Sequence, residues 1–427
     1  MQVTGKSARL MAPEHGSRFG VANAAFTVAD QVLSSVGNAL VLVCVAQVAT
    51  PETFGAAALA FAVIATGLGF GRGMVGAPLL ISSGEGADKV RAAAARSSVF
   101  CMVNAAICLL AVVVVALSVG EVVVALPVIA LPAVLIQDML RYCAIAVGRV
   151  GCAILSDGLW TLGMLAVFIV NLVNDSISVV AVLVVWVVLG WMSAVVLAVG
   201  LRVNVISTAL PASGPRVSER VRLAVVYALD SVGTAAVISV AAITSGVAVA
   251  ASVRAAATLF GPVAVLISSL PLTVIPRLAD RNSRVTRRTA TVLVAVTGVS
   301  VAAIVIGVLA TLIPDAVGAK LLGETWIHAI GVVPLLGVEY AALVWFGLAS
   351  SILQARRETT RLLLLRLGYG ATQLVACICA GSIWGTGQAI GGALAVSAVA
   401  GTAAALLTVA RSDSRGHSPS HRAGRLA

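Results

Sequence analysis

Apolar stretches long enough to cross a bilayer follow one another along almost the whole chain, separated only by short polar breaks. A helix needs about 20 such residues to span roughly 30 Å of hydrocarbon, and within it every backbone polar group is satisfied internally. With 60% hydrophobic and 11% charged residues over 427 positions, the chain has too little polar surface for a water-soluble globule of its size. Alternation at period two is missing, which argues against a transmembrane barrel. The expected fold class is therefore an all-α polytopic membrane protein. Its expected spans are residues 21–48, 56–81, 97–118, 122–147, 152–173, 177–200, 223–245, 247–275, 289–313, 328–352, 362–380 and 386–409. Helix 1 does not read as a cleavable signal peptide, because about twenty largely polar residues precede it and no small-residue cleavage site follows.

Basic residues fall on alternate loops, which sets the orientation. One side collects Lys6, Arg9 and Arg18, then Lys89, Arg91 and Arg96, then Arg149. The same side continues with Arg202, Arg216, Arg220 and Arg222, with Arg277, Arg281, Arg284, Arg287 and Arg288, and with Arg356, Arg357 and Arg361. It ends at Arg411, Arg415, Arg422 and Arg425. The opposite loops carry Glu52, Glu121, Asp175, Asp315 and Glu324 against Lys320 alone. Twelve helices with both termini cytoplasmic, in the cell membrane, keep that alternation unbroken. The net charge of +11 then reads as topology determinants that also meet anionic lipid headgroups, and nucleic acid is not an expected partner.

The seven cysteines all lie within or at the edge of expected helices, where a free thiol packs as a small apolar group, so no disulfide framework or metal site is implied. No glycine-rich phosphate loop follows a strand, so ATP hydrolysis is not expected. Neither a catalytic residue nor a cofactor is called for, and the chain does not read as an enzyme.

The longest polar break between helices, 201–222, falls at the midpoint. It divides the chain into an N-terminal six-helix lobe over 1–200, a cytoplasmic linker over 201–222, a second six-helix lobe over 223–410 and a cytoplasmic tail over 411–427, expected to be disordered. Each lobe opens on a helix with an acid a short way in, Asp30 and Asp230, and two halves facing each other across a cavity is a common transporter plan. Prolines 78, 127, 132, 262, 271, 276 and 334 predict bends in helices 2, 4, 8 and 10.

A charge in the hydrocarbon costs about 2.5–3.5 kcal/mol, so the intramembrane ones mark candidate transport-cavity residues. Asp30 is followed at i+4 and i+8 by Ser34 and Asn38, a polar stripe on one helix face. Arg72 lies at a comparable depth in helix 2, where antiparallel packing would make it the partner of Asp30. Asp230 and Arg254 form the counterpart in the second half, and Asp157 and Glu339 complete the set. Asp157 and Arg141 lie close to helix ends, which favours a structural ion pair or snorkelling. The tryptophans read as belt or packing residues.

Five segments in order, ADQVLSSVGN, GRGMVGAPLLI, QDMLRYCAIAVGR, SVRAAATLFGP and LLGETW, resemble the multidrug/oligosaccharidyl-lipid/polysaccharide (MOP) exporter superfamily. Within it the chain looks most like the polysaccharide-type, O-antigen flippase-like branch of actinobacteria, with which a surplus of arginine over lysine agrees. The resemblance implies two lobes around a central cavity, alternating access, and a lipid-linked oligosaccharide as substrate. Arg72 and Arg254 would meet its pyrophosphate or acidic sugar. Asp30 and Asp230 would hold those arginines or couple transport to H+ or Na+. Implied partners are membrane lipids and a polysaccharide polymerase or glycosyltransferases. Two alternatives stay open: a cation-coupled multidrug or small-molecule exporter of the same superfamily, and a non-transporting membrane scaffold for polysaccharide assembly.

Overall fold

The computed structural model describes residues 21–49, 51–120, 122–173, 177–205, 216–279, 285–322 and 326–416, and these are helices joined by short turns, without a strand. Lys6, Arg9, Arg18, Arg281, Arg284 and the last eleven residues lie outside them, as do Glu121, Asp175 and Glu324. The N-terminal half comprises α1 (Val21–Val48), α2 (Pro51–Gly71), α3 (Ala77–Ile81), α4 (Ala87–Val119), α5 (Leu131–Ala146), α6 (Val150–Val173) and α7 (Val179–Leu201). The C-terminal half comprises α8 (Val217–Ser245), α9 (Val247–Thr258), α10 (Gly261–Ala279), α11 (Val285–Ala310), α12 (Asp315–Leu322), α13 (Trp326–Ala329), α14 (Val333–Ala355), α15 (Thr359–Trp384) and α16 (Gly387–Gly416).

Eleven helices among the described residues are long and apolar enough to cross a membrane. α8 supplies the remaining expected crossing. It is apolar over Ala236–Ser245, while its first half carries Glu219, Arg220, Arg222 and Asp230. The chain is a multi-pass membrane protein of roughly twelve spanning helices in two lobes.

Local chemistry explains where the expected spans shift. α4 starts ten residues before its expected span because Val90 and Ala94 continue one buried face through a charged segment. The first turn of α8 is capped by Glu219, whose Oε2 accepts the backbone N–H of Arg216 at 3.2 Å, so residues 217–222 of the expected linker are helical. α16 continues through 411–416 of the expected tail. Three of the four proline-containing helices are interrupted. Helix 2 widens into a π-helical turn, Arg72–Gly76, just before Pro78. Helix 4 opens as a 3-10 segment, Val122–Ala130, around Pro127, and helix 8 divides into α9 and α10 before Pro262. Helix 10 differs from expectation: Pro334 occupies the first turn of α14, where its missing N–H costs nothing, and α14 runs unbroken.

Two hydrophobic cores follow the halves. The first joins α1–α7, and it reaches into the second half through Leu223, Ala224, Val226, Leu272, Ile275, Leu353 and Leu362. All seven sit at the helix ends that adjoin the arginine-bearing loops. The second core lies among α8, α9, α10, α11, α14, α15 and α16. Outward faces are strongly apolar, with Ile243 84% and Val294 72% exposed, as lipid contact demands. Between helices, lipid offers no hydrophobic drive, so small residues and polar bonds do the joining. α1 lies along α6, where a side chain at Gly37 would meet Thr161, and Thr161 Oγ1 donates to the Leu33 carbonyl at 2.8 Å. Asn171 Nδ2 donates to Gln47 Oε1 at 2.8 Å further along the same seam.

Candidate functional site

The N-terminal lobe encloses a charged cluster built by α1, the π-helical turn, α5 and α6. Its centre is Arg141 of α5, 1% exposed. The Arg141 guanidinium donates through Nε to Asp30 Oδ2 at 2.5 Å, through Nη1 to Ser34 Oγ at 3.3 Å and through Nη2 to Gln31 Oε1. Asp138, one turn earlier, lies 3.5 Å from Nη1, and Asp157 Oδ2 of α6 lies 3.2 Å from Nε. Beside it, Arg72 grips Asp138 with both Nε and Nη2, each at 3.0 Å. Gln137 Nε2 donates to Asp157 Oδ1 and, at 3.1 Å, to Ser156 Oγ. α1, α5 and α6 converge here because α1 packs along α6, and the i, i+3 spacing of Asp138 and Arg141 puts both on the face of α5 turned to them.

Three carboxylates thus meet two guanidiniums, leaving one negative charge in excess when all are ionised. Oδ1 of Asp30 and Oδ2 of Asp157 are buried and make no hydrogen bond among the described residues. A cavity of about 30 Å³ adjoins the cluster, lined by Ser34, Asn38, Arg72, Gln137, Asp138 and Asp157 among others. That is room for a water or two, or a small cation, and far too little for an organic substrate.

The sequence expectations divide. The stripe Asp30, Ser34 and Asn38 faces this cluster and its cavity, as the spacing indicates. The expected pair of Asp30 and Arg72 is not formed: α1 lies against α6 rather than along α2, so Asp30 meets Arg141 while Arg72 turns to Asp138. Arg141, read as a residue near a helix end, is the hub. Asp138 is not among the residues expected from depth alone; its i, i+3 opposite charge to Arg141 in the segment QDMLR is the sequence signal for it.

In the second lobe, Asp230 of α8 bonds Arg366 of α15 instead of Arg254. Arg366 also lies over the Phe346 ring, 4.6 Å from its centroid, which leaves its guanidinium between an acid and an aromatic face. Its position five residues inside the expected helix 11 was the sequence signal for it. Arg254, on α9, is exposed. Glu339 of α14 is buried and accepts a long contact from Gln373 Nε2 at 3.5 Å. Seven aromatic residues pack with one another: Phe61 and Trp160 on Trp186, Phe260 on Tyr340, and Phe346 on Tyr369.

Comparison with solved structures finds the same architecture. A MOP superfamily transporter from Pyrococcus furiosus, described as having a binding pocket of reverse polarity that suggests a different function, superposes with a TM-score of 0.71 at 14% identity, over 92% of this chain and 95% of that one. A multidrug resistance MATE family transporter of the MOP superfamily, solved in an outward-facing conformation, gives 0.73 at 13% identity over 94% and 96%. A MATE transporter in its straight conformation gives 0.72 at 16% identity over 92% and 95%. No family model matches the chain, and no curated protein matches it. The likeness is one of fold.

Proposed function

We propose that this protein is a transporter of the MOP superfamily that flips a lipid-linked oligosaccharide across the cytoplasmic membrane by alternating access, driven by H+ or Na+. The observation that carries the reading is the state of Arg72. Its bond to Asp138 uses Nε and Nη2, while Nη1 makes no hydrogen bond among the described residues and the side chain stays 26% exposed. A guanidinium held by an acid on one edge and open on the other is a preorganised donor for a phosphate oxygen. The excess negative charge of the cluster, the buried Asp30 Oδ1 that makes no hydrogen bond among the described residues and the small adjoining cavity support binding of a single proton or sodium ion there. Occupancy would neutralise the cluster and change what holds Arg72.

A second reading, cation-coupled export of small amphipathic cations, is favoured by the surplus of carboxylate over guanidinium in the same cluster. Against it, the cavity beside the cluster has a single aromatic wall, Trp160, which also packs on Trp186, whereas a site for such compounds needs several.

The deciding experiment follows polyprenyl-linked oligosaccharide on the cytoplasmic face of a deletion strain complemented with wild type, Arg72→Ala or Asp30→Ala. The flippase reading expects accumulation in the deletion, relief by wild type, and failure of both variants at normal membrane levels. No accumulation in the deletion overturns it and hands the question to export assays with cationic dyes. Rescue by both variants would instead fit a scaffold.

A further inference from the structure

The hairpin of α15 and α16 encloses a groove of about 570 Å³ that neither the charged cluster nor the transport reading uses. It begins between Arg361 and Arg411 and ends at Thr372 and Ala400. The two helices turn about Gly385, whose φ of +61° is the left-handed geometry that reverses the chain, so these residue pairs sit at matching heights. Eleven residues of helix separate the two ends, about 16 Å at 1.5 Å per residue, or close to half of the roughly 30 Å hydrocarbon layer. The groove is therefore one leaflet deep.

Its shape comes from missing side chains. A Cβ at Gly368 would find no atom within 4 Å, and Gly401 lets the Tyr369 ring lie against α16, where a Cβ would stand 2.7 Å from Tyr369 Cδ2. Tyr369 then packs at a tilt against Phe346, ring centroids 5.0 Å apart, and forms the floor. Leu364, 64% exposed, stands at the rim.

The mouth is cationic. Beyond Arg361 and Arg411, Arg356 reaches the Val409 carbonyl with Nη1 at 3.5 Å, and Arg222 of α8 bonds Thr360 Oγ1. The acids at this end are Glu358, shared between Arg361 and the Ser412 hydroxyl, and Asp413, two residues after Arg411 along α16. Four guanidiniums against two carboxylates leave the mouth positive at the height of the headgroups, while the trough behind it is apolar.

We propose that this groove seats one anionic phospholipid of the leaflet on the arginine side, its phosphate between Arg361 and Arg411 and one acyl chain along Gly368, Tyr369, Gly401 and Ala404. Charge complementarity selects the headgroup and the one-leaflet depth selects an acyl chain rather than a longer isoprenoid. A lipid so placed braces α15, the helix whose Arg366 holds Asp230 of α8.

The test is native mass spectrometry of the purified full chain in micelles doped with phosphatidylglycerol or with phosphatidylcholine of the same chains. Wild type should retain one phosphatidylglycerol more than it retains phosphatidylcholine. Arg361→Gln/Arg411→Gln should weaken that retention about thirtyfold, two interfacial charges being removed. Gly368→Phe fills the trough, leaves every arginine in place and replaces a helix-interior glycine, so it should fold and yet lose the lipid. Equal retention of the zwitterionic lipid overturns the proposal as unselective lipid. Undiminished phosphatidylglycerol retention by Gly368→Phe overturns it too, since the lipid would then sit on the arginines alone. Because transport is not measured, failure here is distinguishable from failure of the flippase reading.

Discussion

Arg141 has almost no access to water, so its charge is sustained entirely by Asp30, Asp138, Asp157 and the side-chain oxygens of Gln31 and Ser34. Removing one partner of a buried ion pair costs about 3–5 kcal/mol, because the remaining charges are stranded. Arg141→Met is expected to destabilise the protein by that order, and Arg141→Lys to rescue little, since a single ammonium cannot reproduce a fork that serves several oxygens. Adding Asp30→Asn to Arg141→Met should restore part of the loss by withdrawing a stranded charge. Thermal unfolding in detergent measures all three, and an unchanged midpoint for Arg141→Met would mean that the cluster carries no structural weight. At this scale the sequence is half legible. The depth of Asp30 and Arg72 can be counted from a helix end, and their cost in hydrocarbon marks them out. Their partners cannot be counted, because pairing depends on which helix face meets which, and two arginines compete here for three acids.

Among the elements, the π-helical turn Arg72–Gly76 does what a regular helix would not. The N–H of Ala77 bonds the carbonyl of Arg72, five residues back, which inserts one residue into the helical repeat and shifts the direction of Arg72 relative to α2. The same segment lies directly against the other lobe. A Cβ at Gly73 would stand 2.2 Å from the Leu223 carbonyl oxygen of α8, and Arg220 Nη1 donates to the Met74 carbonyl at 3.2 Å. Gly73→Ala should therefore push α8 away. Hydrogen exchange of the α8 backbone around Leu223 is expected to rise at least several-fold, whereas Gly233→Ala, whose Cβ would meet nothing within 4 Å, should leave it unchanged. Equal exchange in the two variants would remove the argument that Gly73 sets the contact. Helix existence and the proline interruptions were readable from apolar length and from Pro127 and Pro262. The π turn was not, since GRGMVG differs from an ordinary glycine-rich helix only through what packs on it.

For the whole molecule, the alternation of basic loops and the joining of the lobes point to one side of the membrane. Leu223, Leu272, Ile275, Leu353 and Leu362 carry the first core across to the second half at the helix ends that bear Arg220, Arg277, Arg356 and Arg361. The number of helices, roughly twelve, was legible because hydrocarbon thickness imposes a length on each of them. The contact between lobes was not, because apart from Arg220 it is made by aliphatic side chains, glycine and backbone carbonyl, which look the same wherever a helix meets lipid or protein. If the arginine side is cytoplasmic, the lobes are shut on the inside. Single cysteines in a cysteine-free background test this by labelling intact cells with a membrane-impermeant maleimide. Positions 86, 148 and 358 should stay unlabelled until the cells are broken, whereas 120, 246 and 385 should label at once. Each of these six residues lies in a turn between helices; a cysteine at the five glycines carries backbone strain, their φ being +61° to +102°, and Glu358→Cys gives up bonds to Arg361 and Ser412, so each variant is first checked for wild-type membrane levels. The reverse pattern would invert the protein in the membrane and make this the outwardly closed state; a mixed pattern would break the alternation and with it the twelve-helix count, since one crossing more or fewer moves every later turn to the other side.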